Sequence, residues 1–324
     1  MSHAQELART IATTALGRDP GPLTAVESRS HQVFLAADVV VKVIDPGQHT
    51  RLDREIALVP HLPAGLTAPL LSSGVGDDGS RYASYARVPG VSPGMDLPGV
   101  DVETACSLAA QAVRRLGVLH SWVPGPEAER ILRDPLDHGG FINRAGLFAL
   151  IEGISAVLTD DVVAGLSRIA EGAPMHAGEA VPVHADSHWG NWLAADGTVT
   201  ALLDFEWARY GDPLDDWFFV ISSSGRHREA VLDVVARETG TPPDLLRYEC
   251  EVRHATHLAS DIQLAVAAGT PPPWLTELSE VVVDRWWWHA DRPSGQGESE
   301  GGGDGGNGGQ PVQPQPGVTA ERHR

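Results

Sequence analysis

The chain has 324 residues, with 24 basic and 43 acidic side chains and a formal net charge of −19. Hydrophobic residues make up 42%, enough for buried cores in two lobes, and no apolar run approaches the roughly twenty residues of a membrane span. A surface of this sign repels phosphate backbones and anionic lipid, so neither nucleic acid nor a membrane is an expected partner.

The charge is unevenly placed. Residues 89–291 hold 13 basic and 30 acidic groups, against 8 and 9 in residues 1–88 and 3 and 4 in residues 292–324. The N-terminal stretch MSHAQELARTIATTALG is polar and amphipathic, without the apolar core of a secretion signal. Two cysteines, Cys106 and Cys250, make neither a disulfide framework nor a metal cage, so a cytoplasmic, reducing setting is expected.

In chain order, VFLAADVVVKVID (33–45) has two β-branched runs split by a polar turn and predicts a hairpin. RLDREIALVPHL (51–62) is helical in character and stops near Pro63. RYASYARVPG (81–90) predicts a strand ending at a Pro-Gly break. VETACSLAAQAVRRLGVLHSW (102–122) sets Leu108, Ala112, Leu116 and Leu119 on one helical face. The stretch 181–217 holds a short strand, a tight loop and a hairpin turning at Asp196-Gly197, with Asp204 at a strand end. From about residue 293 the Gly, Gln and Pro content predicts a disordered tail. The expected architecture is α+β and bilobal: a β-rich lobe (1–88), a mainly helical lobe (89–292) and the tail (293–324), with the ligand site in the cleft between lobes.

The polar residues crowd at His184, Asp186, Asn191 and Asp204. His-x-Asp-x-x-x-x-Asn followed by an Asp closing an apolar strand is a phosphotransferase arrangement. Asp186 would orient a hydroxyl and accept its proton. Asn191 and Asp204 supply one neutral and one anionic oxygen, which suits Mg²⁺. Lys42, the single lysine beside 23 arginines, would neutralise nucleotide phosphates, held by Glu55. His184 would hold the loop through a side-chain hydrogen bond.

These motifs resemble the aminoglycoside phosphotransferase and choline-kinase-like enzymes, which share the protein-kinase fold. The similarity covers roughly residues 25–290 and is most specific in HADSHWGN and LLDFEWARYGDPLDDW. It implies ATP as phosphoryl donor, a Mg²⁺ cofactor at Asn191 and Asp204, Asp186 as catalytic base, and Lys42 and Glu55 at the nucleotide. RVPG resembles the family's hinge, which implies adenine binding by the backbone around Ala86 and Val88. The phosphate-covering segment ESRSHQVFL (27–35) lacks the usual glycine, leaving Ser28 and Ser30 as candidate donors. Ala185, where protein kinases carry arginine, argues against control by a phosphorylated loop.

For the acceptor, the candidates are His188 in the loop, Glu206 and Asp216 beyond the metal strand, Asp261, and the tryptophan run ending at Trp288. Asp212 reads as a structural turn residue. Three consecutive tryptophans cannot all face one core, because helical neighbours differ by about 100°. An aromatic wall with carboxylates suits an amino sugar, and the pairing resembles a glucosamine-kinase branch near the maltokinase-like members. The expected reaction is therefore phosphorylation of glucosamine at its 6-hydroxyl, the acceptor being a small cationic sugar. The alternatives are an aminoglycoside phosphotransferase, a neutral-sugar or amino-alcohol kinase, and, from other classes, a nucleotide-binding pseudokinase or a metal-dependent hydrolase using His184, Asp186 and His188.

Overall fold

The computed structural model describes residues 3–269 other than 27, 29, 30, 49, 137, 138 and 268. Ser30, Trp288 and the Gly/Pro/Gln-rich tail lie outside the described residues. The first element is helix α1 (His3–Leu16). It precedes strands β1 (Thr24–Val26), β2 (Gln32–Leu35) and β3 (Val39–Ile44), helix α2 (Arg51–Leu58), and strands β4 (Leu70–Val75) and β5 (Arg81–Ala86). The five strands form one antiparallel sheet in the order β1-β2-β3-β5-β4.

The period-two pattern of β3 decides what each face does. Val39, Val41 and Val43 are buried against Ala8, Ile11 and Ala12 of α1. Lys42 therefore emerges on the opposite face, beside α2. That helix buries Leu52, Glu55 and Leu58 at helical spacing, so Glu55 is carried on the apolar face that meets the sheet. The β2–β3 hairpin expected over 33–45 closes at Ala36, whose N–H donates to Val39 O at 2.9 Å.

The chain then turns helical. Helix α3 (Val102–His120) is capped by Asp101, which accepts from Thr104 N, and buries Leu108, Ala112, Leu116 and Leu119 as its periodicity predicts. Next come α4 (Pro126–Arg133), α5 (Arg144–Ile154) and α6 (Asp160–Gly172). Strand β6 (Val181–Val183) pairs with β9 (Arg209–Gly211), and β7 (Trp192–Ala195) with β8 (Thr198–Leu202). Asp196 (φ 50°) and Gly197 (φ 73°) make the β7–β8 turn, the left-handed pair a two-residue hairpin requires. Helices α7 (Pro213–Ser222), α8 (Arg228–Thr239) and α9 (Pro243–Ala267) complete the described fold.

Two cores support this half. In one, α3, α7 and α8 enclose Trp189, Trp192 and Phe205. In the other, Leu147 and Ile151 of α5 and Leu166 of α6 meet Val252, Leu258 and Ile262 of α9. This second, helical unit carries no motif and was not anticipated from the sequence. The fold is α+β and kinase-like, with the sheet in the first part and helices in the second. Among the described residues no helix is long and apolar enough to cross a membrane.

Candidate active site

Lys42 stands between two carboxylates. Its Nζ lies 3.0 and 2.9 Å from the oxygens of Glu55 and 2.9 Å from Asp204 Oδ1. Burial pushes the ammonium towards neutrality, but Asp204 and Glu55 outweigh it and hold Lys42 well above its ordinary pKa. Burial also pushes Asp204 up; the charge of Lys42 reverses this and leaves Asp204 ionised below the usual carboxylate range. Helix α2 is tied to the Asp204 segment by Arg54, whose Nε and Nη2 donate to Ala208 O at 2.9 and 2.8 Å. The ion pair is thus set by a strand pleat, a helix face and the arginine that joins α2 to the Asp204 segment.

The segment His184–Asn191 is a loop built on the core. Asn191 Nδ2 donates to Asp186 O at 2.8 Å and to Asp186 Oδ2 at 3.1 Å. Leu203 N donates to Asn191 O at 2.7 Å, which brings Asn191 and Asp204 side by side. Strand β8 ends at Leu202, two residues earlier than expected for Asp204, which instead adopts φ 70°. That left-handed turn is unusual for a non-glycine residue and lets the carboxylate turn back toward Lys42. Burial and the neighbouring Asp204 charge push Asp186 well above the ordinary carboxylate range. A carboxylate so raised is a competent proton acceptor for a hydroxyl.

His184 is fully buried, and both ring nitrogens are committed. Nδ1 accepts from Asp186 N at 3.2 Å and Nε2 donates to Leu203 O at 2.8 Å. Burial keeps the ring neutral. With no lone pair left for a metal, His184 cannot join Asp186 and His188 in a hydrolase-type cluster, and that alternative fails on geometry. His188 is on the same loop, its Nε2 3.6 Å from Asp186 Oδ1.

Asp216 was expected at the acceptor, and the structure corrects this. It is fully buried in α7. Its Oδ2 accepts from His184 N at 3.0 Å and contacts His120 Nε2 at 2.8 Å, while Oδ1 accepts from Ala185 N at 2.7 Å. Burial pushes Asp216 up, but these bonds and the His120 contact hold it below its ordinary value. It pins the loop from below and holds Ala185 at φ 64°. Two tryptophans brace the same loop: Trp189 Nε1 donates to Ser224 Oγ and Trp192 Nε1 to Ser187 O. An indole N–H inside a polar loop needs such a partner, and that was the available sequence signal for both.

Glu206 also departs from its expected place. The left-handed turn at Asp204 sends it towards the sheet and α2, where Oε1 lies 3.4 Å from Arg51 Nε and Oε2 lies 3.5 Å from His31 Nε2. Burial and the Asp204 charge raise it to about 7. Its neighbours belong to the half that carries Lys42. Asp212, read as a turn residue, caps α7 through Leu214 N and accepts from Gly178 N and from Arg253.

The remaining candidates are more scattered. Ala86 ends β5 with its N–H donated to Pro69 O at 2.8 Å, and Val88 packs against the buried cluster that includes Ala83 and Tyr85. Ser28 is exposed between β1 and β2. Asp261 is half-buried on α9, next to Ile262, which packs in the core shared with α5.

For a divalent cation, the donor set fits. Asn191 spends its amide hydrogens on Asp186, which leaves its carbonyl oxygen as an acceptor, and Asp204 is held ionised. Hard oxygens of this kind suit Mg²⁺ or a close relative.

Similar solved structures share this fold. The GDP complex of aminoglycoside 2'-phosphotransferase-IIIa aligns over 88% of this chain and 98% of its own, with 16% identity and a TM-score of 0.70. Macrolide 2'-phosphotransferase from Brachybacterium faecium aligns over 86% and 98%, with 20% identity and a TM-score of 0.60. No curated protein sequence matches the chain. The family model described as "Phosphotransferase enzyme family" matches residues 23–249, which span Lys42, Glu55, Asp186, Asn191 and Asp204. On that match the chain belongs to the phosphotransferase enzyme family.

Proposed function

We propose that this phosphotransferase moves the γ-phosphoryl group of ATP to a hydroxyl of a small cationic sugar, with glucosamine as the acceptor. The observation that carries the reading is one chain of hydrogen bonds that runs from Lys42 to Asp204, from the adjacent Leu203 to Asn191, and from Asn191 to Asp186. Lys42 binds the donor's phosphates once they draw it from Asp204, and Glu55 keeps it aimed. The backbone around Ala86 and Val88 receives the adenine, and Ser28 and Ser30 lie in the segment over the phosphates. Asp186 orients the acceptor hydroxyl; as its oxygen bonds to the γ-phosphorus and the bond to the β-phosphate oxygen breaks, the proton passes to Asp186 and ADP leaves. Asn191 and Asp204 would hold the divalent ion, which supplies charge neutralisation of the phosphates when bound.

The acceptor reading rests on charge and on the loop. The 30 acidic against 13 basic groups of residues 89–291 favour a cation. The nearness of His188 Nε2 to Asp186 Oδ1, 3.6 Å, supports taking His188 as an acceptor contact, and Asp261 and Trp288 are kept as further acceptor residues. A second reading, an aminoglycoside phosphotransferase, is supported by the solved structures of fold relatives, whose complexes hold kanamycin, streptomycin and gentamicin. A carboxylate left without its cation is costly to bury. Glucosamine is therefore expected to exceed glucose in kcat/KM by at least about tenfold, measured by ADP release at equal concentrations. Equal efficiency on both sugars contradicts the amino-sugar reading, and a preference for aminoglycosides over both supports the second.

Lys42 gives an independent check on the donor site. Lysine-selective acylation can modify only Lys42 and the N-terminus, because the sequence has no other lysine. Mg-ATP is expected to protect Lys42, read by peptide mass spectrometry. Undiminished labelling at saturating Mg-ATP places Lys42 outside the nucleotide site.

A further inference from the structure

His31, Asp204 and Glu206 converge between the sheet and the Asp204 turn. One ligand atom from each lies within 4.8 Å of the other two. We propose that these three residues form a divalent-cation site of mixed imidazole and carboxylate chemistry, which takes Mn²⁺ and similar transition ions in preference to Mg²⁺. The proposal rests on the reading of Asp204 as a cation ligand and adds His31 and Glu206 to it.

The geometry supports a shared centre better than a closed ion pair. His31 Nε2 and Glu206 Oε2 are 3.5 Å apart, against about 2.7–2.9 Å for a charge-assisted hydrogen bond. Octahedral ligands at bonds of about 2.1 Å sit about 3 Å from their neighbours and about 4 Å across the ion, so the present spacing closes on a cation with small side-chain rotations. Glu206 is 3% exposed, and its Oε2 accepts no hydrogen bond from a described residue. A buried carboxylate oxygen without a donor is costly, and a cation removes that cost. The local charge agrees. Glu55 and Asp204 share Lys42, Glu206 has Arg51 on one oxygen and His31 beside the other, and three carboxylates thus crowd two permanent cations.

The imidazole sets the preference. Mg²⁺ keeps oxygen ligands and waters, whereas nitrogen donors favour the later first-row ions. Asn191 and Asp204 alone would discriminate little between Mg²⁺ and Mn²⁺; His31 adds the nitrogen that does. It stands immediately before β2, so an ion held here also ties the phosphate-covering segment to the Asp204 turn.

The test uses the full chain with Mn²⁺ alone, without nucleotide or acceptor. Electron paramagnetic resonance is expected to show Mn²⁺ bound more tightly than Mg²⁺ in competition, with nitrogen modulation in the pulsed spectrum. His31→Ala is expected to remove that modulation and weaken Mn²⁺ binding by at least about tenfold, while Mg²⁺ binding changes much less. His61→Ala, which removes an exposed imidazole 3.6 Å from Glu127, is expected to leave both unchanged. Because His31 is buried, metal-free melting verifies the fold, and His31→Gln, close in size, serves if the alanine variant is unstable. Unchanged Mn²⁺ affinity and modulation in a folded His31 variant overturns the proposal, as does equal affinity of the wild type for both ions. An ion bound as described in a chain that phosphorylates no acceptor would count against the proposed function alone.

Discussion

Replacing Asp186 by asparagine is expected to lower turnover by roughly 10²–10⁴-fold while nucleotide affinity changes little. The substitution keeps the shape of the side chain and a carbonyl oxygen for Asn191 Nδ2, which donates to Asp186 at 3.1 Å in the native protein. It removes the one carboxylate of the loop whose proton affinity is raised by burial and by Asp204. The ion pair of Lys42 with Glu55, the proposed nucleotide side, is left untouched. The pH dependence follows from the same shift. A base works only when ionised, so the acid limb of the wild-type profile should lie above the ordinary carboxylate range, and the variant should lack that limb. Steady-state rates across pH, with nucleotide titration of the same samples, check both parts. Turnover in Asp186→Asn near that of the wild type removes Asp186 from the base role.

Arg253→Met is expected to cost about 3–5 kcal/mol of stability, the scale for uncovering buried charge. Arg253 is fully buried on α9 and bonds Asp212 at 2.8 Å and Glu249, with Asp215 at 3.4 Å. Methionine fills similar volume but leaves the three carboxylates without this partner, although Arg209 still reaches Asp215 at 3.1 Å. The loss should depend on pH. Burial raises Asp215 to about 6 in the native protein despite Arg209 and Arg253, and without Arg253 it rises further. A carboxyl with a folded pKa above its unfolded value binds its extra proton in the native state. The associated penalty is absent below the unfolded pKa and grows as pH rises through the folded one. The variant should recover part of the loss between pH 7.5 and pH 5. Urea unfolding at both values measures it; a loss under about 1 kcal/mol, or one equal at both pH values, contradicts the assignment.

Much of the site was legible because its residues are contiguous or rare. His184 to Asn191 form one loop, whose chemistry follows from residue type and spacing. Lys42 stood out as the single lysine, and the β3 alternation sent it to the side of α2. Asp216 was misread because an acidic residue early in a helix looks the same whether it faces solvent, a substrate or the backbone of another loop. Only the packing of α7 under the loop separates these cases. The contacts of Glu206 with Arg51 and His31 gave no signal because its direction depends on the left-handed turn at Asp204, which residue type does not announce. Arg253 gave no signal either: a buried arginine and an exposed one read alike in a polar helix. The α5–α6 unit lacked a motif, although Leu147, Ile151 and Ile154 have helical spacing and are buried. His31 passed unnoticed because its partners lie more than 170 residues away in the chain.

The acidic charge of the chain acquires structural content from these placements. A share of it is internal: Asp212, Asp215, Asp216, Glu249 and Glu251 are all buried. Asp216 anchors the loop, Asp212, Asp215 and Glu249 hold Arg253 of α9, and none of the five contributes an open acidic surface. The field available to a cationic acceptor is correspondingly smaller than the count of carboxylates suggests, which makes the glucosamine-to-glucose ratio a demanding test of the acceptor.

The central claim is that Asp186, Asn191, Asp204 and Lys42 together carry phosphoryl transfer to a hydroxyl acceptor. The most direct measurement incubates the full chain with ATP, a divalent ion and a panel of amino sugars, neutral sugars, aminoglycosides and choline, and follows the acceptors by phosphorus NMR. The predicted result is a new phosphomonoester on glucosamine, formed by the wild type and lost in Asp186→Asn. Absence of any phosphorylated acceptor across the panel, with the chain folded and nucleotide bound, would contradict it.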